Sequence, residues 1–222
     1  MRPDAIIFDF DGVLLESEYE GNQHLAQLLT ELGHPISTEH ALANFTGLSG
    51  PDFFQAIEQH IQAPLPDRFH DLRELENERA LREGMAAVEG AVDFIRSLDP
   101  AMPKAVASSS TTRWIRIHLA HIGLDGTFEP HIYSGREHVE RGKPAPDIYL
   151  HAATRIGVPI DRCVIIEDSE VGATGALASG ARVIGLVAGR HCGDGHEDRL
   201  RVLGVREIAR GFDEVEQLLG LS

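Results

Sequence analysis

Short apolar segments of β-strand length recur along the chain and alternate with stretches of helical periodicity. This alternation constrains the fold more than any other feature, because it is typical of a parallel sheet with helices packed on its faces. The 222 residues suffice for one such domain with a smaller insert. We therefore predict an α/β fold, with strands at residues 5–8, 104–107, 131–133, 163–166 and 182–187.

One interval, from residue 16 to residue 85, interrupts the alternation because it contains no convincing strand pattern. Its apolar residues recur at helical spacing and predict three helices. The inward-facing residues are Leu25, Leu28, Leu29 and Leu32 in the first helix, Phe54, Ile57 and Ile61 in the second, and Phe69, Leu72 and Leu75 in the third.

These boundaries divide the chain into two predicted units. Residues 1–15 and 86–222 form the sheet-containing core, and residues 16–85 form an all-helical insert. Since the insert follows the first strand, we expect it above the carboxyl ends of the strands, where α/β proteins bind ligands.

Acidic residues follow directly after two of the predicted strands. Asp9 and Asp11 follow the first strand, and their side chains can point the same way because a strand alternates its faces. Glu167 and Asp168 follow the fourth strand. Aspartate is disfavoured in strands, so each acid needs a reason, but each pair taken alone is also explained by a turn or a helix cap.

Two further motifs supply groups that bind anions. Ser108 and Ser109 stand where the second strand gives way to a helix, whose free N–H groups and partial positive charge suit a phosphate. Lys143 is followed by two prolines that stiffen its segment. Alone, the serines would be helix caps and the lysine a surface residue. Together, all four motifs lie at the carboxyl ends of parallel strands and are expected to converge.

The convergence predicts a metal site. Several carboxylates in one pocket repel each other strongly, and a divalent cation together with Lys143 relieves that repulsion. The motifs offer oxygen ligands and no His or Cys, which favours Mg²⁺ over zinc. The predicted metal-site residues are Asp9, Asp11, Glu167 and Asp168.

The overall charge argues against other partners. The formal net charge is −15, whereas proteins that bind nucleic acid carry a basic face. No apolar run approaches the ~20 residues that cross a bilayer, and no signal-peptide pattern is evident. We therefore expect no nucleic-acid or membrane partner, a cytoplasmic location and a monomer by default. Cys163 and Cys192 are expected to be unpaired thiols.

In order and spacing the four motifs resemble those of haloacid dehalogenase (HAD) superfamily hydrolases, in the branch of β-phosphoglucomutase-like proteins and capped phosphatases. The resemblance covers essentially the whole chain. It implies a Rossmann-like parallel sheet core with an inserted all-helical cap domain. It also implies that Asp9 attacks phosphorus and forms an aspartyl-phosphate, while Asp11 serves as general acid and then as general base.

The same resemblance implies roles for the remaining motifs. Ser108 and the N–H of Ser109 would bind the phosphoryl oxygens, and Lys143 would bridge phosphate and nucleophile. Asp168, with Glu167, would hold Mg²⁺ together with Asp9 and the backbone carbonyl of Asp11. Such roles are physically sound, since a carboxylate attacks a phosphate dianion only if cations offset their mutual repulsion.

Two departures from the mutase pattern favour hydrolysis. The mutases have a histidine where this chain has Gly21, and the predicted substrate loop, residues 45–51, lacks the Lys or Arg that a second phosphate needs. We therefore predict a Mg²⁺-dependent phosphatase of a small phosphorylated metabolite, either a sugar phosphate or a sugar-acid phosphate. The alternatives are a phosphosugar mutase like β-phosphoglucomutase and a catalytically silent phosphometabolite-binding protein.

The core motifs do not contact the organic part of a substrate. We expect Thr46, Gly47 and Leu48 of the insert to contribute to specificity. Residues 191–196 contain two histidines and a cysteine, but zinc needs four well-spaced ligands, so a flexible surface loop is predicted there. Trp114 lies on a helical face and is predicted to be a packing residue.

Overall fold

The computed structural model describes residues 2–46, 48 and 50–221. Six parallel strands form one sheet in the order β3-β2-β1-β4-β5-β6. Their bounds are Ala5–Phe8 (β1), Lys104–Ser108 (β2), Ile132–Ser134 (β3), Cys163–Glu167 (β4), Arg182–Leu186 (β5) and Glu207–Ala209 (β6). The predicted α/β fold and its first five strands are confirmed. Strand β6 was not predicted.

Helices cover the sheet and fill the interval after β1. Their bounds are Ser17–Glu31 (α1), Thr38–Phe45 (α2), Gly50–Ile61 (α3), Asp67–Glu83 (α4), Ala91–Ser97 (α5), Thr112–His121 (α6), Asp147–Ile156 (α7), Glu170–Ser179 (α8), His196–Leu203 (α9) and Phe212–Leu219 (α10). Within the described part of the chain, none of them has the length and apolar character needed to cross a membrane.

Strand β1 lies inside the sheet between β2 and β4, and both of its faces are buried. Because side chains alternate along a strand, Phe8 points into one core cluster and Ile7 into the other. Phe8 packs edge-on against Phe94 and Phe128, with ring centroids 6.2 and 5.8 Å away. This packing fixes the register of β1 relative to its neighbouring strands, and it thereby fixes the position of the polar segment that follows Phe8.

Helices α1 to α4 pack around a third hydrophobic cluster, separate from the two on the sheet. The side chains buried at its centre include Leu25, Leu29, Phe45, Ile57 and Phe69. This agrees with a helical interval, although helix α2 was not predicted. Leu75 and Phe54, both predicted to face inward, are 60% and 36% exposed, so the helical spacing was wrong for these two positions. The division at residues 15–16 and 85–86 stays a prediction.

Two chain segments join this helical part to the sheet and run side by side. Leu15 forms an isolated antiparallel bridge with Ala87. The N–H of Glu16 donates to the carbonyl of Ala86 at 2.9 Å, and the N–H of Ala86 donates to the Glu20 carboxylate at 3.1 Å. Since the outgoing segment follows the carboxyl end of β1, helices α1 to α4 are attached at the edge where the acidic motifs lie.

Candidate active site

The predicted motif residues meet at one edge of the sheet. Asp9 directly follows β1, and its N–H donates to the carbonyl of Ile166 in β4 at 3.0 Å. Ser108 and Glu167 are the last residues of β2 and β4, which both pair with β1. Parallel strands deliver their carboxyl ends to the same edge, so residues far apart in sequence become neighbours.

Lys143 lies at the centre of this edge, in the loop before α7. Its side chain is only 4% exposed, and its Nζ donates to Asp9 Oδ1 and to Glu167 Oε1, both at 2.7 Å. Burial opposes the charge on Lys143, but the two carboxylates outweigh it and raise the pKa of the lysine above its ordinary value. The ammonium therefore stays protonated beside Asp9.

Glu167 is completely buried and its carboxylate has a full set of partners. Oε1 accepts from Lys143 and from the Tyr149 hydroxyl at 2.9 Å, while Oε2 accepts from the N–H and hydroxyl of Ser169 at 2.8 and 3.0 Å. A Cβ at Gly172 would overlap this carboxylate. These contacts hold Glu167 rigidly and aim it at Lys143.

Asp168 presents a different arrangement. Its Oδ2 lies 2.8 Å from His191 Nε2, whereas its Oδ1 is buried and has no hydrogen-bond partner among the described residues. A buried carboxylate oxygen without a partner is costly, so it marks a place for a missing positive group. Oxygens of Asp9, Glu167 and Asp168 all lie within 4.8 Å of one another. This all-carboxylate set fits Mg²⁺.

The pKa shifts of Asp9 and Asp168 agree with that fit. Burial raises the pKa of Asp9, and the neighbouring Glu167 and Asp168 add to this, while Lys143 opposes it. Burial also raises the pKa of Asp168, with Glu167 adding to the effect. One lysine is too little positive charge for this pocket, and a divalent cation would stabilise both carboxylates in their charged forms.

Asp11 lies above this group and accepts hydrogen bonds on both of its oxygens. Oδ2 accepts from the hydroxyls of Ser108 and Ser110 at 3.0 and 2.7 Å. Oδ1 accepts from the Ser17 hydroxyl at 2.8 Å and from the indole N–H of Trp114 at 3.2 Å. Ser108, predicted to bind phosphate, is thus hydrogen-bonded directly to Asp11, predicted to transfer protons.

Ser109 is exposed at the same edge, three residues before the first residue of α6. Thr111 caps that helix, because its hydroxyl accepts from the N–H of Trp114 at 3.3 Å. Trp114 packs against the core as predicted, but its hydrogen bond to Asp11 was not foreseen. Nothing in the helical spacing reveals that bond, since it joins residues 103 positions apart.

The prediction of a flexible surface loop at residues 191–196 is wrong for its two histidines. His191 and His196 are each 7% exposed. His191 contacts the Asp168 carboxylate, and His196 Nε2 lies 2.7 Å from the backbone carbonyl oxygen of Asp168. The segment follows β5, whose carboxyl end lies at the same edge as Asp168, and this proximity explains the burial.

A cleft of about 470 Å³ lies between helices α3 and α4 and the loop after β3. Its lining includes Leu48, Phe53, His70, Arg73, Asn77 and Arg136. Of the three predicted specificity residues, Leu48 lines this cleft. Thr46 accepts a hydrogen bond from Asn22 at 3.3 Å. Gly47 lies outside the described residues. Sequence reasoning did not identify Arg136 as a cleft residue.

Two arginines and one carboxylate, that of Glu74, are the charged groups of the cleft, so positive charge predominates there. Arg73 is half-buried and stacks over the Phe53 ring at 5.2 Å, and burial lowers the pKa of its guanidinium. Arg136 follows Gly135, whose N–H donates to the carbonyl of Ser108 at 2.8 Å. This loop therefore connects the cleft to the end of β2.

Comparison with known proteins identifies the family. The model of the haloacid dehalogenase-like hydrolases matches residues 6–186. The fructose-1-phosphate phosphatase YqaB of Escherichia coli (strain K12) is 30% identical over 176 residues, which are 79% of this chain and 92% of that protein. The chain belongs to the haloacid dehalogenase-like hydrolase family. The predicted assignment to a phosphatase-type hydrolase of this superfamily is confirmed.

Two solved structures match over nearly the whole chain. A conserved haloacid dehalogenase-like protein from Agrobacterium tumefaciens str. C58 superimposes with a TM-score of 0.88 at 34% identity, covering 98% of each chain. A HAD family hydrolase from Deinococcus radiodurans R1 gives a TM-score of 0.86 at 32% identity, covering 99% of this chain and 96% of its own. That structure contains bound phosphate and sodium.

Proposed function

We propose that this protein is a Mg²⁺-dependent phosphatase that hydrolyses a small phosphorylated sugar or sugar acid through an aspartyl-phosphate on Asp9. The observation that carries this proposal is the pairing of Asp9 with Lys143 at 2.7 Å, beside a buried Asp168 oxygen for which the described residues offer no partner. A carboxylate nucleophile, a fixed cation and an open position for a second cation are what attack on a phosphate dianion requires.

In the first step Asp9 attacks phosphorus, and the bond from phosphorus to the ester oxygen breaks. Lys143 is held by Glu167 beside the nucleophile and stabilises the negative charge on the phosphoryl oxygens. Ser108 and the N–H of Ser109 bind those oxygens. The Ser108 hydroxyl now donates to Asp11, and the phosphoryl group would accept this hydrogen bond when substrate binds.

Asp11 is the proposed proton carrier. In its protonated form it gives a proton to the departing ester oxygen. It then takes a proton from the water that attacks the aspartyl-phosphate, and the bond between Asp9 and phosphorus breaks to release phosphate. The hydroxyls of Ser17 and Ser110 and the Trp114 indole hold the Asp11 carboxyl in place between these two transfers.

The proposed Mg²⁺ ligands are Asp9, Asp168 and the backbone carbonyl of Asp11. Glu167, the fourth residue of the predicted metal site, is not proposed as a direct ligand. When bound, the ion neutralises charge on the nucleophile and on the phosphoryl oxygens. The hydrogen bonds of Glu167 favour a role in holding Lys143 rather than direct ligation. The Deinococcus radiodurans structure contains bound phosphate and sodium, which is consistent with a relative that binds an anion and a cation.

The cleft supports a small polar substrate. Its lining combines aromatic rings with polar and charged groups, a mixture that suits hydroxyl-rich molecules carrying a second acidic group. The charged groups are Arg73, Arg136 and Glu74, so the two arginines outnumber the one carboxylate. The matching Escherichia coli phosphatase is named for fructose 1-phosphate, which supports a sugar phosphate. Thr46, Gly47 and Leu48 stay proposed specificity residues. We further propose that the protein is cytoplasmic and monomeric. Size-exclusion chromatography tests the oligomeric state.

Phosphate release from a panel of phosphorylated sugars and sugar acids with Mg²⁺ tests this function. Wild type should release phosphate, Asp9→Asn should not, and removal of Mg²⁺ should abolish release. Arg73 and Arg136 give the cleft the charge that residues 45–51 lack, so the mutase stays the second candidate. Interconversion of glucose phosphates without net phosphate release would establish the mutase, and inertness of the wild type would favour a binding protein.

A further inference from the structure

The segment that follows β5 places two histidine rings against one acidic residue of the active site. His191 Nε2 lies 2.8 Å from Asp168 Oδ2, and His196 Nε2 lies 2.7 Å from the backbone carbonyl oxygen of Asp168. The two rings are nearly perpendicular, with centroids 5.6 Å apart. Asp168 is therefore held at its side chain by one ring and at its main chain by the other.

We propose that His191 and His196 are positioning residues that hold Asp168 with its Oδ1 facing the cation site. This inference rests on the proposed function, since it assigns the cation to the carboxylates of Asp9 and Asp168. His191 contacts Oδ2, and within the described part of the chain Oδ1 has no hydrogen-bond partner. Hydrogen bonds from outside the ligand set are a general means of orienting a metal ligand.

Close packing restricts the His191 ring to this position. A Cβ at Gly12 would overlap Asp168 Oδ2 and approach His191 Cε1 to 2.9 Å, and a Cβ at Gly189 would approach His191 Cε1 to 2.5 Å. The imidazole thus lies against two glycines and the carboxylate, and its side chain is 1% exposed. Movement of the ring away from Asp168 would require a shift of the backbone on either side.

The hydrogen-bond partners determine where each ring carries its proton. An ionised Asp168 carboxylate and a backbone carbonyl both accept, so with Asp168 ionised Nε2 is the protonated nitrogen in His191 and in His196. Cys192 Sγ also lies 3.4 Å from His191 Nε2. His196 Nδ1 lies 3.2 Å from an Arg199 donor and therefore carries a lone pair. Arg199 is held in turn by Glu170 at 2.8 Å. His191 Nδ1 is buried and finds no partner in residues 2–46, 48 and 50–221, which is consistent with a neutral ring.

The same segment offers a second interpretation, because His191, Cys192 and His196 lie close enough to hold a transition metal. An ion bound through the Nε2 atoms would have to displace the hydrogen bonds that both rings form with Asp168. The existing hydrogen bonds therefore favour positioning. In wild type loaded with Co²⁺, an absorption band from a Cys192 thiolate bound to cobalt would overturn this choice.

Mn²⁺ binding to the metal-free protein tests the proposal without turnover, because the electron paramagnetic resonance signal of free Mn²⁺ falls as the ion binds. His191→Leu is expected to weaken Mn²⁺ binding by about 10–100-fold. His191→Gln keeps an N–H donor near the Nε2 position and should restore binding to within about threefold of wild type. His40→Leu, at an exposed position on α2, should leave binding unchanged.

Tight Mn²⁺ binding by His191→Leu, or failure of His191→Gln to restore it, would overturn the positioning role while leaving the metal site intact. Equal binding by wild type and Asp168→Asn would instead contradict the proposed metal site itself. If His191→Leu does not fold, nitrogen-15 chemical shifts of the wild-type histidines decide. The proposal requires the Nε2–H form in both rings, and an Nδ1–H form in His191 would overturn it.

Discussion

The carboxyl edge of the sheet and the cleft beside α3 and α4 differ in how firmly their polar groups are held. At the edge, Lys143 is 4% exposed and forms two ion pairs of 2.7 Å. In the cleft, Arg73 stacks on a phenylalanine and Arg136 is exposed, and neither forms an ion pair with a carboxylate among the described residues. The groups proposed for chemistry are pre-arranged, whereas those proposed for recognition are left for a substrate to engage.

The largest effect should follow from a change at the edge. Asp9→Asn replaces the proposed nucleophile with an amide and is expected to lower kcat by at least about 10⁴-fold. Phosphate release measures this, and circular dichroism checks that the variant is folded. Asp4→Asn is the matched control, because Asp4 precedes the opposite end of β1 and pairs with Arg162. Comparable losses in both variants would contradict the role of Asp9.

Lys143→Met should affect both rate and stability. It removes the ammonium between Asp9 and Glu167, so kcat should fall by about 10²–10³-fold. The metal-free protein should lose about 3–5 kcal/mol of unfolding free energy, because two buried carboxylates lose their counter-charge. Urea unfolding with and without Mg²⁺ measures this, and Mg²⁺ should restore part of the loss.

The chain's only other lysine supplies the control for that variant. Lys104 begins β2 at the opposite edge and contacts only the carbonyl of Met102 among the partners described, at 3.4 Å. Lys104→Met should therefore change stability by less than about 1 kcal/mol. If Lys143→Met lowers the unfolding free energy no more than Lys104→Met does, the ion pairs of Lys143 contribute less to stability than their distances indicate.

His118 tests the core behind the edge. It is fully buried beside Trp114, and burial lowers its pKa to about 4. Because the folded pKa lies below the ordinary 6.5, its contribution is complete above about pH 6.5 and is lost as pH falls towards 4. Between pH 6.5 and pH 4 the unfolding free energy of the wild type should fall by up to about 3 kcal/mol more than that of His118→Leu. Parallel pH profiles in urea unfolding would contradict this.

The smallest effect is expected in the cleft. Arg73→Gln should raise KM about tenfold for substrates with a second acidic group and leave kcat nearly unchanged, since the distal group is bound equally in ground and transition states. Arg68→Gln is the control, because Arg68 is exposed on the same helix and does not line the cleft. A fall in kcat without a change in KM would place Arg73 in the chemistry instead of recognition.

The sequence predicted the edge far better than its surroundings. Asp9, Ser108, Glu167 and Asp168 could be placed together because the ends of parallel strands meet at one edge. His191 and Trp114 could not be placed there, since their contacts with Asp168 and Asp11 depend on how separate loops and helices approach. Local patterns predict elements and their ends, but not which side chain reaches across between elements.

The cleft was still harder to predict. Arg73 belongs to the charged pattern of α4, and Arg136 to a loop 63 positions away in the printed sequence. Neither residue shows any local signal of facing the other element. Glu167 illustrates a different limit, because its position after β4 was predicted but its four hydrogen-bond donors were not.

The covalent intermediate on Asp9 is the central claim, and borohydride trapping tests it most directly. Protein quenched during turnover of a good substrate is treated with borohydride, which reduces an acyl phosphate to an alcohol, and peptides are analysed by mass spectrometry. The proposed mechanism predicts homoserine at position 9 in the wild type and none at this position in Asp9→Asn. Reduction at another residue, or an unmodified Asp9 peptide from protein that was turning over substrate, would contradict it.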